Sequence, residues 1–170
     1  TVTYLKVDKD GIIDKTELKN HLNDKTALVS IMLANNEIGV IQPIKELSEI
    51  VHDFSKMIIF HSDAVQAVGK IPINVKELDL DSLSLSSHKI NGPKGVGALY
   101  VREKVNFEPL IQGGGQESTL RSGTENVPGI VGLGKASEIS MLNLKVNSQY
   151  LYYLRDHLIR RINEEICGKI

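Results

Sequence analysis

At 170 residues, with 41% hydrophobic and 24% charged side chains, the chain has the size and composition of one soluble globular domain. Twenty basic against 21 acidic side chains leave a formal net charge of −1, and no run of five or more like charges offers the electrostatic ground on which nucleic acid binds. No stretch approaches the roughly 20 apolar residues of a membrane span. The start, TVTYLKVDKD, has no initiator methionine, apolar signal core or Arg-rich presequence, so the chain reads as processed or as a piece of a longer one. The lone Cys167 can close no internal disulfide or zinc site, which fits a reducing compartment such as the cytoplasm or the mitochondrion.

In chain order, Val2 to Val7 alternates like a strand and Thr16 to Leu22 like a short helix. ALVSIMLA (27–34) has the length and content of a buried strand. Pro43 opens a helix, IKELSEIVHDF, whose Ile44, Leu47, Ile50, Val51 and Phe54 share a face. MIIFHS (57–62) is a second buried strand, DSLSLSS (81–87) a third with Leu83 and Leu85 on one side, and VGALYV (96–101) a fourth after a Gly-Pro-Lys-Gly turn. From Pro128 onward the spacing is helical, either as two helices or as one long kinked one. Strands alternating with helices predict an α/β domain with a largely parallel sheet, and such a sheet gathers its ligand site at the carboxyl ends of its strands.

The polar residues follow that rule. Asn35 and Asn36 come just after the first buried strand, Asp63 and Gln66 after the second, and Ser86, Ser87, His88 and Lys89 after the third. One rim would therefore hold a carboxylate, amides, hydroxyls and a lysine. A lysine that can lose its proton forms a Schiff base with an aldehyde, which is the chemistry pyridoxal phosphate exploits. Its pyridine nitrogen needs an anionic partner, for which Asp63 is the candidate, and its phenolic oxygen a donor, which Gln66 offers. Its phosphate needs hydroxyls and N–H groups of the kind Ser86, His88 and the Gly-rich turns carry.

NNEIG, HSDAVQAVGKIP, SSHKINGPKGVGALYVR and GGGQESTLRSGTENVPGIVGLGKA, in this order and at these separations, resemble the cysteine desulfurases of NifS/IscS type. These are pyridoxal-phosphate enzymes of the class V aminotransferase group with fold type I, and the likeness runs from residue 1 to at least 140. It implies that Lys89 is the lysine that forms the internal aldimine and later moves the substrate proton. Asp63 would pair with the pyridine nitrogen, Gln66 would bond the phenolic oxygen, Asn36 would touch the cofactor, and Ser86 and His88 would hold the phosphate. Thr124 would reach the phosphate of a second subunit, which implies a homodimer. The resemblance further implies L-cysteine as substrate, an enzyme persulfide and alanine as products, and a sulfur-acceptor or scaffold protein such as those of iron–sulfur cluster assembly.

The same family carries an upstream phosphate-binding turn and ring-stacking histidine, and a downstream arginine and cysteine loop, none of which this sequence contains. Cys167 comes too soon after Lys89 and in too helical a context to be the loop cysteine. Residues 1–145 are expected to be part of the cofactor-binding large domain and 146–170 a helix leading into a small C-terminal domain. Selenocysteine lyase shares these motifs, and a non-catalytic binding subunit of the same fold is the alternative of a different class. Asp63 also suits a helix N-cap, and Gly113 to Gly115 suit simple turns. Cys167 on its own suits a small buried apolar side chain. His21, His52 and His157 read as structural or solvated residues on helical surfaces. KVDKDGIIDKTE (6–17) partly fits a calcium loop, but Lys6 stands where the first carboxylate belongs.

Overall fold

Residues 1–166 are described in a computed structural model of the chain. Two apolar runs become the strands β1 (Leu28–Met32) and β2 (Ile59–Asp63), the alternating SLSLS becomes β3 (Ser82–Ser86), and with β4 (Gly97–Val101) they form a four-stranded sheet in the order β1-β2-β3-β4. β1 with β2 and β2 with β3 are parallel, whereas β3 with β4 is antiparallel. The exception follows from connection length: residues 87–96 make a turn, and a parallel return needs a crossover of about a dozen residues or more. The sheet is thus largely parallel, as expected.

Helix α1 (Lys15–His21) is capped by Asp14, whose side chain accepts from Thr16 N–H. Helix α2 (Ile44–Phe54) starts after Pro43 and buries Ile44, Leu47, Ser48, Val51 and His52. Register fixes two sheet faces, because side chains alternate along a strand. Ile31, Ser62, Leu83 and Tyr100 align on the α2 side, and Met32, Asp63, Ser84 and Leu99 align on the other. The core lies on the α2 side: Phe60, Leu47, Val51 and Leu80 are fully buried and pack with Leu18, Ile44 and Leu83. Ser62 is buried among them with its hydroxyl on Ile31 O at 2.9 Å.

Two sequence expectations change. Val2 to Val7 forms no strand; alternation alone makes none without a partner edge, and this segment has only an isolated bridge between Val7 and Ile13. His52 is not on a surface but 4% exposed, with Nδ1 2.7 Å from Asp79 Oδ2 and Nε2 2.9 Å from Asp81 Oδ2. Asp81 Oδ2 also accepts from Phe60 N–H, and Arg102 donates to Asp79 Oδ1 at 2.7 Å. This cluster ties α2, β2, the start of β3 and the end of β4 together. Of the two alternatives for the segment after Pro128, the single helix holds: α3 (Val127–Glu165) runs without a break. In the segment that partly fits a calcium loop, Asp8 Oδ1 accepts from Asp10 and Ile12 N–H and Glu17 accepts from Lys6 N–H, so these carboxylates close backbone turns. Cys167 lies outside the described residues.

Candidate active site

The carboxyl ends of β1, β2 and β3 and the start of β4 form one rim of the sheet. Asp63 is the last residue of β2, held between Met32 and Ser84 in the register. Its carbonyl accepts from Leu33 N–H at 2.8 Å, and Ala64 N–H bonds Ser84 O at 3.0 Å, so the backbone around it is fixed from both sides. Carboxylate Oδ1 accepts from Val65 N–H at 2.8 Å, a local cap of the turn that follows. Oδ2 has no hydrogen-bond partner among the described residues and remains available. The segment after Asp63 is a run of turns, closed by Ala67 and Val68 N–H on Ala64 O, and it carries half-buried Gln66 at the same rim.

β3 passes into a 3₁₀ turn, Ser87–Ile90, that carries His88 and Lys89. Ser86 Oγ and His88 Nδ1 lie 2.8 Å apart. Lys89 is exposed, and its ammonium has no ion-pair or hydrogen-bond partner among the described residues. Buried Ile90 beside it fixes the backbone. Asn36 is exposed on the turn after β1, which Asn35 Oδ1 closes by accepting from Glu37 N–H at 2.8 Å and Ile38 N–H at 3.0 Å. The structure therefore gathers Asn36, Asp63, Gln66, Ser86, His88 and Lys89 at one rim. It leaves Thr124 exposed in the loop before α3, without a hydrogen bond to any of them.

Two nearby residues escaped the sequence reading. His61 lies two positions before Asp63 on the same sheet face, beside Ser30 and Ser82, with Nδ1 2.8 Å from Ser30 Oγ. Burial pushes its pKa below the usual imidazole range, and the Asp63 charge only partly opposes that. The period-two alternation of β2 would have put it beside Asp63. Lys70, in the turn after Gln66, is held below the usual lysine range by partial burial and then by the positive charge of Lys89. No feature of the sequence announces that proximity.

Pyridoxal phosphate can be tested against this donor set. A carboxylate with one oxygen free, a neighbouring amide, a hydroxyl beside an imidazole and an unpaired primary amine supply each kind of group its nitrogen, phenolic oxygen, phosphate and aldehyde require. Gly97 lets β4 close on this end: a Cβ there would lie 2.7 Å from Leu85 O. The residues fit. A cavity of about 1120 Å³ lies elsewhere, between residues 1–13 and edge strand β1, lined by apolar side chains such as Val2, Leu22 and Leu28.

The fold and this rim define an α/β domain with a largely parallel sheet, whose strand ends carry a carboxylate, an amide, a hydroxyl, an imidazole and a lysine. The chain belongs to the class-V aminotransferase family, whose domain model matches residues 1–166, a family of pyridoxal-phosphate enzymes. It is 56% identical over 158 residues to a protein named cysteine desulfurase IscS from Methanosarcina thermophila, covering 93% of this chain and 39% of that one. Its fold matches a NifS-like protein at a TM-score of 0.92 and 46% identity, over 96% of this chain and 45% of the other. A NifS-like protein from Rickettsia africae matches at 0.89 and 39% identity, over 95% and 45%. The chain thus spans about 40% of the length of the curated relatives it matches.

Proposed function

We propose that this chain forms the lysine-bearing part of a pyridoxal-phosphate-dependent cysteine desulfurase. The observation that supports the reading is that Asp63 ends β2 beside Ser84, and β3 runs on through Ser86 into the turn that carries His88 and Lys89. The names of the relatives, cysteine desulfurase IscS, supply the reaction. When bound, pyridoxal phosphate supplies an electrophilic carbon for the substrate amine and a sink for the electron pair released at Cα. Asp63 Oδ2 holds a proton on the ring nitrogen. Gln66 would donate to the phenolic oxygen, Asn36 would contact the cofactor, and Ser86 and His88 would donate to the phosphate. Lys89 Nζ would hold the cofactor aldehyde and would accept the Cα proton of the substrate. Overall, L-cysteine and a protein thiol give L-alanine and a persulfide on that thiol. The acceptor thiol belongs to a residue other than those of the rim, and Thr124 of a second copy completes the phosphate site in a homodimer. Residues 146–170 lead from this large domain toward a smaller one.

The test is borohydride reduction of the full-length protein with pyridoxal phosphate, followed by peptide mass spectrometry. A reduced cofactor adduct on the peptide containing Lys89, absent in Lys89→Ala, is expected. An adduct on another lysine, or none in a folded, cofactor-saturated sample, would overturn the assignment.

A further inference from the structure

Lys89 sits on a turn of four residues, too short to be rigid by itself, and its seat is supplied by α3. Ile90, the next residue, is 5% exposed and packs against Leu133 and Ala136, with Val68, Leu85 and Val96 closing the cluster. Ser87, at the other end of the turn, is fully buried. Its N–H bonds Val96 O at 3.1 Å, and its carbonyl accepts from Gly92 N–H at 2.9 Å. Asn91 takes a left-handed conformation, φ 63°, to fold the chain back.

No space is left between this turn and the helix. A Cβ on Gly92 would lie 2.2 Å from Ser87 Oγ and 2.9 Å from Ala136 Cβ, and one on Gly132 would lie 2.4 Å from the Pro93 ring. Pro93 thus rests on Gly132, Gly92 approaches Ala136, and Ile90 caps Leu133 and Ala136. Close-packed groups of this kind have no slack with which to absorb an added methyl group.

We infer that Ala136 and Leu133 are positioning residues for Lys89. The small side chain of Ala136 sets how far the turn stands from the α3 axis, and so where Lys89 Nζ meets the rim. This rests on the reading of Lys89 given above. A displacement of about 1 Å at a reacting group costs on the order of 10²-fold in rate, so a single methyl or two at position 136 is enough to be read.

The experiment uses the full-length protein and three variants: Ala136→Val, which crowds the seat, Ile90→Val, which loosens it, and the two combined, which returns part of the lost room. Each is saturated with pyridoxal phosphate, reduced with borohydride and scored by peptide mass spectrometry for the fraction fixed on Lys89, alongside its thermal melt and turnover. Each single variant is expected to lower the fixed fraction and to cut turnover at least tenfold, and the double variant to recover most of both. Folded single variants with the wild-type fixed fraction would overturn the inference, as would a folded double variant no better than Ala136→Val. Should Ala136→Val fail to fold, Ile90→Val decides by the same criterion. Wild-type protein without a Lys89 adduct would instead overturn the assignment of Lys89 itself, which separates the two failures.

Discussion

Replacing His52 with alanine removes the ring that joins two carboxylates behind the sheet, and its cost can be worked from the geometry. The side chain is 3% exposed, so truncation leaves a buried gap, worth about 2 kcal/mol at the low end of large-to-small core changes. It also removes the ring nitrogens that stand 2.7 Å from Asp79 Oδ2 and 2.9 Å from Asp81 Oδ2. Asp81 keeps Phe60 N–H and Asp79 keeps Arg102, and Asp79, with a side chain 35% exposed, can turn to water. This second loss therefore falls near the low end of the range for an unpaired buried group, about 1 kcal/mol. The sum, about 3 kcal/mol, corresponds to a fall in Tm of about 6–12 °C for a unit of this size. The assay is thermal denaturation at neutral pH followed by far-ultraviolet circular dichroism, with His52→Gln, which keeps one donor, expected to fall between. A His52→Ala melt within about 3 °C of wild type would refute the claim that this cluster holds α2 to the far end of the sheet.

The same cluster has an acid signature. Burial opposes ionisation of Asp79, but hydrogen bonds and charge from Arg102 and His52 outweigh it and hold the carboxyl below its usual range. A depressed folded pKa means that the stabilisation is fully present above the unfolded pKa of about 4 and is lost as the pH falls through the folded value. The stability gap between wild type and Asp79→Asn should hold from pH 7 to about pH 5 and then close on further acidification; a gap independent of pH would contradict the pairing. Gly92→Ala places its Cβ 2.2 Å from Ser87 Oγ and is expected to cost about 1–3 kcal/mol, as overpacking does. Ser87→Gly in the same chain should restore part of the melt, and no rescue would locate the strain elsewhere.

Much of the sheet was legible because β1 and β2 are apolar runs of strand length, β3 alternates Ser and Leu with period two, and Pro43 marks the start of α2. The rim was legible for a related reason: in a parallel sheet the residues just past each strand converge, so Asn36, Asp63 and Lys89 could be placed together before any coordinates. What the sequence hid depends on partners far along the chain. Val2 to Val7 has the right alternation and no edge to pair with. His52 is polar and reads as exposed, yet it falls on the buried face of α2 with Ile44 and Ser48, where Asp79 and Asp81 from the segment before β3 meet its ring nitrogens. His61 was hidden by its more conspicuous neighbour, Asp63. The role of Ala136 could not be read at all, since an alanine in a helix carries no signal until its contact is known.

The spatial order of the strands repeats their order in the chain, and this has a kinetic meaning. Each new strand docks on the one made just before it, so loop closure stays local and its entropy cost small at every step. During synthesis from the N-terminus the sheet can grow one strand at a time. The turn bearing Lys89 is different: its hydrogen bonds wait for Val96, and its seat waits for Leu133 and Ala136, which emerge later. Lys89 is therefore among the last parts of the rim to become rigid, and it acquires its final position only after these four strands have formed.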